Sequence, residues 1–156
     1  MSELYKIILT SCVTLLGGIF LLIILKFFIE PIHEQRKLIG EILDLLIFYA
    51  NEYANPGSHE SPKMDPGETE ASRALRRNAT QLISKTNVIL WYSLWKVLGF
   101  VRRREDIQVA YEGLIFLSNS ISIGDPIKNL NKAKQITKCL GYKVKEEKDE
   151  EKGRAS

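Results

Sequence analysis

Three residues near position 30 have the types and the spacing that could hold a metal ion. Glu30, His33 and Glu34 are three and four residues apart, so on a helix their side chains would share one face. The only other histidine is His59, and the sequence contains no H-E-x-x-H and no C-x-x-C motif. We therefore predict no metal site here and interpret the three residues as a hydrated turn.

Nucleophilic and acid–base residues form no pattern that is typical of an active site. Cys139 has no histidine beside it in sequence and is expected to pack as a small apolar group. Glu41 and Asp44 lie about one helical turn apart, but nothing distinguishes them from solvent-facing charges. There is no G-x-S-x-G, phosphate-binding glycine loop or kinase motif. We predict no catalytic residue and no cofactor, although an enzyme of unrecognised type that uses the 55–67 loop stays open as an alternative.

Lysines recur on the last predicted helix, in pairs spaced by four residues: Lys128, Lys132, Lys134 and Lys138. Such a face could contact nucleic acid or lipid headgroups. The net charge of the whole chain is only +3, however, and acidic residues follow directly in the tail. We interpret the lysines as a solvated face and do not expect nucleic acid as a partner.

We expect an uncharged apolar stretch near the amino terminus to place the rest of the chain relative to a membrane. Ile7 to Leu25 contains no charged residue and is bracketed by Lys6 and Lys26. As a helix it would be roughly 28 Å long, about the thickness of a bilayer's hydrocarbon core. A signal peptide has a shorter apolar core, of about 7–15 residues. We predict an uncleaved transmembrane anchor over residues 1–29.

The charges that flank this stretch predict its orientation. Lys6 precedes the span, whereas Lys26, Arg36 and Lys37 follow it, and positive charge accumulates on the cytoplasmic side of spans. We therefore expect the amino terminus outside and the remaining chain in the cytoplasm, with a bacterial inner membrane as the location. The chain has only two cysteines, one of them in the anchor, which is consistent with a reducing compartment and no disulfide framework.

Small residues recur at every fourth position of the anchor. Thr10, Thr14 and Gly18 share one helix face in the small-xxx-small pattern that lets two membrane helices approach closely. One hypothesis is homo-oligomerisation through this seam. The alternative is that small residues are simply common in membrane spans.

A second apolar concentration lies between Val88 and Val101. It contains both tryptophans, Trp91 and Trp95, and only one charge, before a run of three arginines: Arg102, Arg103 and Arg104. At about 14 residues it is too short to cross a bilayer. Two interpretations stay open: the segment completes the core of the domain, or it lies at the membrane interface, where tryptophan and arginine favour lipid headgroups.

The remaining chain has helical periodicity and no alternation that is typical of strands. Apolar residues from Leu38 to Tyr53 predict a helix over 31–54, which continues the anchor beyond a bend at Pro31. Further helices are predicted over 66–86, with Asp65 as cap, over 105–121, and from Pro126 to a stop at Gly141. For the last helix we expect four inward residues: Ile127, Leu130, Ile136 and Leu140.

The predicted fold is therefore all-α: one N-terminal transmembrane helix followed by a small cytosolic bundle of three to four helices over residues 30–142. Residues 55–67 are predicted to be a flexible loop, and residues 143–156 a disordered charged tail. These features favour a non-enzymatic, membrane-anchored adaptor or regulatory protein that presents a helical domain to a protein partner. The alternative is a small toxin-like effector that oligomerises in the bilayer or perturbs it.

Overall fold

The computed structural model describes residues 3–56, 69–121 and 124–142. All regular elements in these ranges are helical, as predicted, and they follow one another as α1 (Glu3–Ile24), α2 (Glu30–Phe48), α3 (Ala50–Ala54), α4 (Glu70–Asn87), α5 (Tyr92–Val97), α6 (Arg104–Ser120) and α7 (Pro126–Cys139). A π-helical turn, Leu25–Ile29, joins α1 to α2. Residues 57–67 of the predicted loop and the predicted tail, 143–156, lie outside the described residues.

A single helical run extends from Glu3 to Phe48, and it is the one described helix long and apolar enough to cross a membrane. Within the described ranges, no other part of the chain buries any residue of α1. In α2 the situation reverses, because Leu38, Ile42 and Leu46 are buried on one face. The same rod is therefore apolar and uncovered in its first half and part of a packed core in its second half.

The π-helical turn lies directly before Pro31 and follows from proline chemistry. Proline has no backbone N–H, and its ring collides with the carbonyl four residues earlier in an α-helix. The backbone widens instead, so that the Glu30 N–H donates to the Leu25 carbonyl, five residues back. Pro31 then occupies the first turn of α2, where no N–H is needed.

Five of the described helices, α2, α3, α4, α6 and α7, contribute to one hydrophobic core. The closest packing is between α4 and α6 and between α6 and α7. Helix α4 brings small residues to the core, Ala71 and Ala79, beside Leu75 and Leu82. At Gly113 of α6, an added Cβ would lie 2.6 Å from Ile136 Cγ1 of α7, so glycine is what permits this close approach.

The described beginning of α4 differs from the predicted one. Thr69 is the N-cap, and its hydroxyl accepts a hydrogen bond from the Ser72 N–H at 3.1 Å. Asp65, which the sequence predicts as the cap, lies outside the described residues.

Helix α7 begins and ends as predicted, but half of its expected inner face is wrong. Asp125 caps the helix through bonds to the N–H groups of Ile127 and Lys128. Ile127 and Leu130 are exposed, whereas Asn129, Ala133, Ile136 and Leu140 are buried. The error has a physical cause: at 100° per residue, Ile127 lies opposite Ile136, and the position that faces the core belongs to a polar residue.

Asn129 occupies a core position of α7, where its side-chain amide forms hydrogen bonds to one residue of α3 and one residue of α6. Its Nδ2 donates to the Tyr53 carbonyl at 3.1 Å and to the Ser120 carbonyl at 3.3 Å. Its Oδ1 accepts from the Ser120 hydroxyl at 2.7 Å. The carbonyls at the ends of α3 and α6 thereby gain partners inside the protein.

Candidate functional site

The segment after α4 holds the main exposed apolar feature of the described domain. Helix α5 is short, and Trp91 before it adopts a positive φ of 52°, which reverses the chain direction. We use the name apolar patch for the exposed large side chains of this segment: Val88, Leu90, Trp91, Leu94, Val97, Leu98 and Phe100. Trp91 is 69% exposed and Val97 is 80% exposed.

A small second core fixes the segment on the beginning of α2. Ile89, Tyr92 and Val101 are buried together with Ile32, and Trp95 packs against this cluster. The Tyr92 hydroxyl donates to the Arg102 carbonyl at 2.6 Å, which closes the segment into a loop. The inner side of the segment is thus core and the outer side is exposed, and contact of the outer side with the membrane interface stays a prediction.

The apolar patch touches the end of the apolar helix directly. The rings of Phe28 and Trp91 lie 5.2 Å apart at an angle of 56°. Phe28 belongs to the π-helical turn that follows α1. The patch is therefore continuous with the surface of the candidate membrane span.

The three arginines after the segment have separate environments. Arg104 stacks over the Tyr92 ring at 4.6 Å. Arg103 pairs with Glu105 at 3.4 Å, with both side chains exposed. The Arg102 guanidinium covers Gly141, where an added Cβ would collide with it. Gly141 has a positive φ of 90° and ends α7 in a Schellman motif, with the Tyr142 N–H bonded to the Thr137 carbonyl.

Burial raises the pKa of three tyrosines of the domain, Tyr49, Tyr53 and Tyr92, and ion pairing perturbs the pKa of one carboxylate. Desolvation raises the pKa of Tyr92, although the Gln35 amide and Arg104 act in the opposite direction. Burial alone raises the pKa of Tyr53. The pKa of Glu34 is lowered by its hydrogen bond and ion pair with Lys85, at 2.6 Å, which links α2 to α4.

A cleft of about 520 Å³ separates α2 from the segment that follows α5. Its charged lining consists of one carboxylate, Asp106, and four basic residues: Arg36, Lys96, Arg102 and Arg103. Among the described residues, no serine, cysteine or histidine lines it. The cleft can therefore attract anionic groups, and its described lining offers no hydroxyl or thiol nucleophile and no imidazole base.

Two buried polar atoms beside this region have no hydrogen-bond partner, Gln35 Oε1 and Trp95 Nε1. The other end of the Gln35 amide is satisfied, because Nε2 donates to the Thr86 hydroxyl at 2.7 Å. Thr86 in turn donates to the Leu82 carbonyl at 2.7 Å. Gln35 interrupts the apolar stripe of α2, and this polar exception is the sequence signal that could have identified it.

The residues considered for a metal site have other partners. Glu30 pairs with Lys26 at 3.0 Å and Glu34 with Lys85, while His33 is exposed. Across residues 3–56, 69–121 and 124–142, no three metal-ligating side chains cluster.

The seam of small residues lies on an open face of α1. Thr10 and Thr14 satisfy their hydroxyl groups within the helix, by donating to the carbonyls of Lys6 and Thr10 at 2.9 Å. An added Cβ at Gly18 would meet nothing within 4 Å. The face is thus free of unsatisfied polar groups, and association through it stays a prediction.

Comparison with known proteins provides no family. No protein-family model, no curated protein and no solved structure matches the chain. Any functional conclusion therefore depends on the residues and the geometry described above.

Proposed function

We propose that this protein is a single-pass, non-enzymatic membrane adaptor that holds a small helical bundle at the cytosolic surface of a bacterial inner membrane. The observation that carries the proposal is the helical run Glu3–Phe48, which is uncovered and apolar in α1 and buried in the core in α2. One continuous rod thereby connects the anchor to the domain without a flexible linker.

Energetics favour the membrane as the surrounding of α1. Thirteen leucine, isoleucine, valine and phenylalanine residues occupy Ile7–Leu25. At roughly −0.3 to −0.6 kcal/mol each, they supply about −4 to −8 kcal/mol toward insertion. Because no residue of α1 is buried against the described part of the chain, we propose that lipid or another protein covers this apolar surface.

An adaptor role agrees with the chemistry of the described surface. The cleft beside α2 offers positive charge, and its described lining contains no serine, cysteine or histidine. The exposed side of α7 carries charged residues such as Lys134 and Lys138 around a hydrophobic residue, Ile127. We propose that such surfaces bind a protein partner while the anchor keeps the complex at the membrane.

Extraction of membranes tests the anchor. The full chain is expected to stay in the pellet after washes with high salt and with alkaline carbonate. A variant with arginine at Leu15 and Leu16, in the middle of the span, should fail to integrate because each charge at a span centre costs roughly 2.5–3.5 kcal/mol. Release of the wild-type chain by carbonate would refute the proposal.

Capture of a partner tests the adaptor role. The full chain, solubilised in mild detergent after crosslinking in membranes, should repeatedly retain the same protein. Recovery of no protein in several detergents would contradict an adaptor.

A second candidate function is a membrane effector that oligomerises through the seam of Thr10, Thr14 and Gly18. The observation that favours it is the open face at Gly18, where nothing lies within 4 Å of an added Cβ. Induced expression should then depolarise the membrane or arrest growth, and Gly18→Leu should abolish the effect. Gly17→Leu is the matched control, because Gly17 is equally open but lies off the seam. Equal effects of the two variants would refute this function.

A further inference from the structure

We infer that the apolar patch lies in the headgroup region of the cytosolic leaflet and that the basic residues beside it select anionic lipid. The inference rests on the proposed function, because it requires that α1 spans the bilayer. It adds a second membrane contact, one that fixes the orientation of the helical domain on the membrane surface.

The position of Phe28 sets the depth of the patch. Phe28 lies three residues beyond Leu25, which ends the uncharged stretch. At 1.5 Å per residue this is about 4–5 Å beyond the hydrocarbon boundary. The headgroup region of one leaflet is roughly 5–8 Å thick. Since the Trp91 ring lies 5.2 Å from the Phe28 ring, the depth of Trp91 differs from that of Phe28 by at most this distance, which places it at or next to this layer.

The composition of the patch fits this layer. Seven large apolar side chains are exposed within the thirteen residues from Val88 to Phe100. Such a concentration of exposed apolar side chains is typical of a membrane or protein contact site. Continuity with the span decides between the two, because any occupant of the patch beside Phe28 must also fit against the lipid that surrounds α1. Lipid headgroups and upper acyl chains are already at that position.

Charge complementarity identifies the class of lipid. Between Val88 and Arg104 the sequence has four basic residues and no acidic residue. Lys96 belongs to α5 itself, and it lines the cleft together with Arg36 and Arg103. In the described part of the chain, neither Arg36 nor Lys96 forms an ion pair. Phosphate groups of anionic lipids complement such positions.

Intrinsic fluorescence can test the inference, because both tryptophans of the chain belong to this segment. The full chain carrying Trp95→Phe is reconstituted in vesicles of phosphatidylcholine mixed with phosphatidylglycerol, so that Trp91 is the sole reporter. Lipids brominated near the headgroup should quench Trp91 about twofold more than lipids brominated at the chain ends, because tryptophan prefers the interface. Acrylamide, a water-soluble quencher, should quench Trp91 about threefold less than it quenches a control tryptophan placed at position 127.

Ile127 provides a matched control position. It is 72% exposed, close to the 69% of Trp91. It lies at the end of the domain far from the span, because its neighbour Asn129 bonds to the Tyr53 carbonyl beyond α2. In a chain that carries Ile127→Trp and phenylalanine at both native tryptophans, the new tryptophan should be open to acrylamide and insensitive to brominated lipid.

The results with the two quenchers distinguish lipid, water and protein as the surroundings of the apolar patch. If acrylamide reaches Trp91 as easily as the control and brominated lipids do not, the patch faces water and the inference is wrong. If Trp91 resists both quenchers, a protein surface covers the patch and the inference is also wrong. Each sample is first washed with carbonate, so failure of the anchor appears separately as loss of the chain from the vesicles.

Variants of the basic residues test separately whether the patch selects anionic lipid. Lys96→Gln combined with Arg103→Gln should increase acrylamide quenching of Trp91 in vesicles that contain phosphatidylglycerol and leave it unchanged in pure phosphatidylcholine. Lys134→Gln, which removes an exposed lysine from α7, is the control and should have no effect. If the chain with its native Lys96 and Arg103 protects Trp91 from acrylamide equally in vesicles with and without phosphatidylglycerol, the inferred selection of anionic lipid is wrong.

Discussion

Replacement of Gln35 by methionine should stabilise the protein, although it removes a hydrogen bond from the core. Gln35 is fully buried in α2, between the main core and the small cluster around Tyr92. Its Nε2 is bonded to Thr86, but its Oε1 is buried without a partner. Methionine has nearly the same length and volume, so Gln35→Met leaves no large cavity.

The sign of the effect follows from the relative size of two contributions. Loss of the bond from Gln35 Nε2 to the Thr86 hydroxyl costs about 0.5–1.5 kcal/mol, whereas removal of a buried, unpaired acceptor returns about 1–3 kcal/mol. Thr86 keeps its own bond to the Leu82 carbonyl, and Tyr92 keeps its bond to the Arg102 carbonyl. The net expectation is an increase of about 1 kcal/mol in the free energy of unfolding.

Thermal unfolding of the full chain in one detergent, followed by circular dichroism, measures this change. A domain of this size should gain about 4–8 °C in Tm per kcal/mol. Gln81→Met is the matched control, because Gln81 is only half-buried on α4 and should change stability by less than about 0.5 kcal/mol. Thr86→Val, which leaves the Gln35 amide without its acceptor, should instead destabilise by about 1–3 kcal/mol.

A Gln35→Met variant that is destabilised by about 1 kcal/mol or more would refute this reasoning. It would mean that Oε1 has a hydrogen-bond partner in the native protein, and the cleft that Gln35 lines is where that partner would enter.

Two further predictions concern the core and the cysteine near the end of the domain. Leu114→Ala should cost about 2–5 kcal/mol, because Leu114 is fully buried on α6. Leu45→Ala should cost clearly less, because Leu45 is only half-buried, and equal losses in the same thermal assay would contradict the core described here. Burial, assisted by Asp106, raises the pKa of the Cys139 thiol, while Lys138 opposes the shift. The thiolate is the reactive form, so in a Cys12→Ser chain the rate of alkylation should rise with pH to a midpoint above that of the unfolded chain. Because restricted access alone would lower the rate at every pH without moving the midpoint, an identical midpoint in denaturant would contradict the prediction.

Periodicity predicted the helices well where one apolar face decides the structure. In α2 and α4, residues such as Leu38, Ile42 and Leu75 repeat at helical spacing and are all buried. The capping residue Asp125 and the terminator Gly141 were predictable from local backbone chemistry. These features depend on neighbours in sequence, so the sequence alone contains them.

Features that depend on tertiary contacts could not be predicted from the hydrophobic periodicity of the sequence. Ile127 and Leu130 were assigned to the core because they are apolar, but the buried position is occupied by Asn129, whose partners Tyr53 and Ser120 lie on other helices. The dual nature of the segment after α4 could not be resolved for the same reason. Both its exposed side and its buried side are largely apolar, and its relation to the span depends on tertiary contacts such as that between Phe28 and Trp91.

Sided labelling in intact cells tests the transmembrane arrangement most directly. Two single-cysteine chains, Glu3→Cys and Lys138→Cys, are built in a background without Cys12 and Cys139; both positions are exposed and lie at opposite ends of the described chain. If α1 crosses the membrane with the domain inside, an impermeant maleimide should label the first chain from outside and the second only after the membrane is opened. Labelling of both positions from the same side would contradict the transmembrane arrangement on which the proposed function depends.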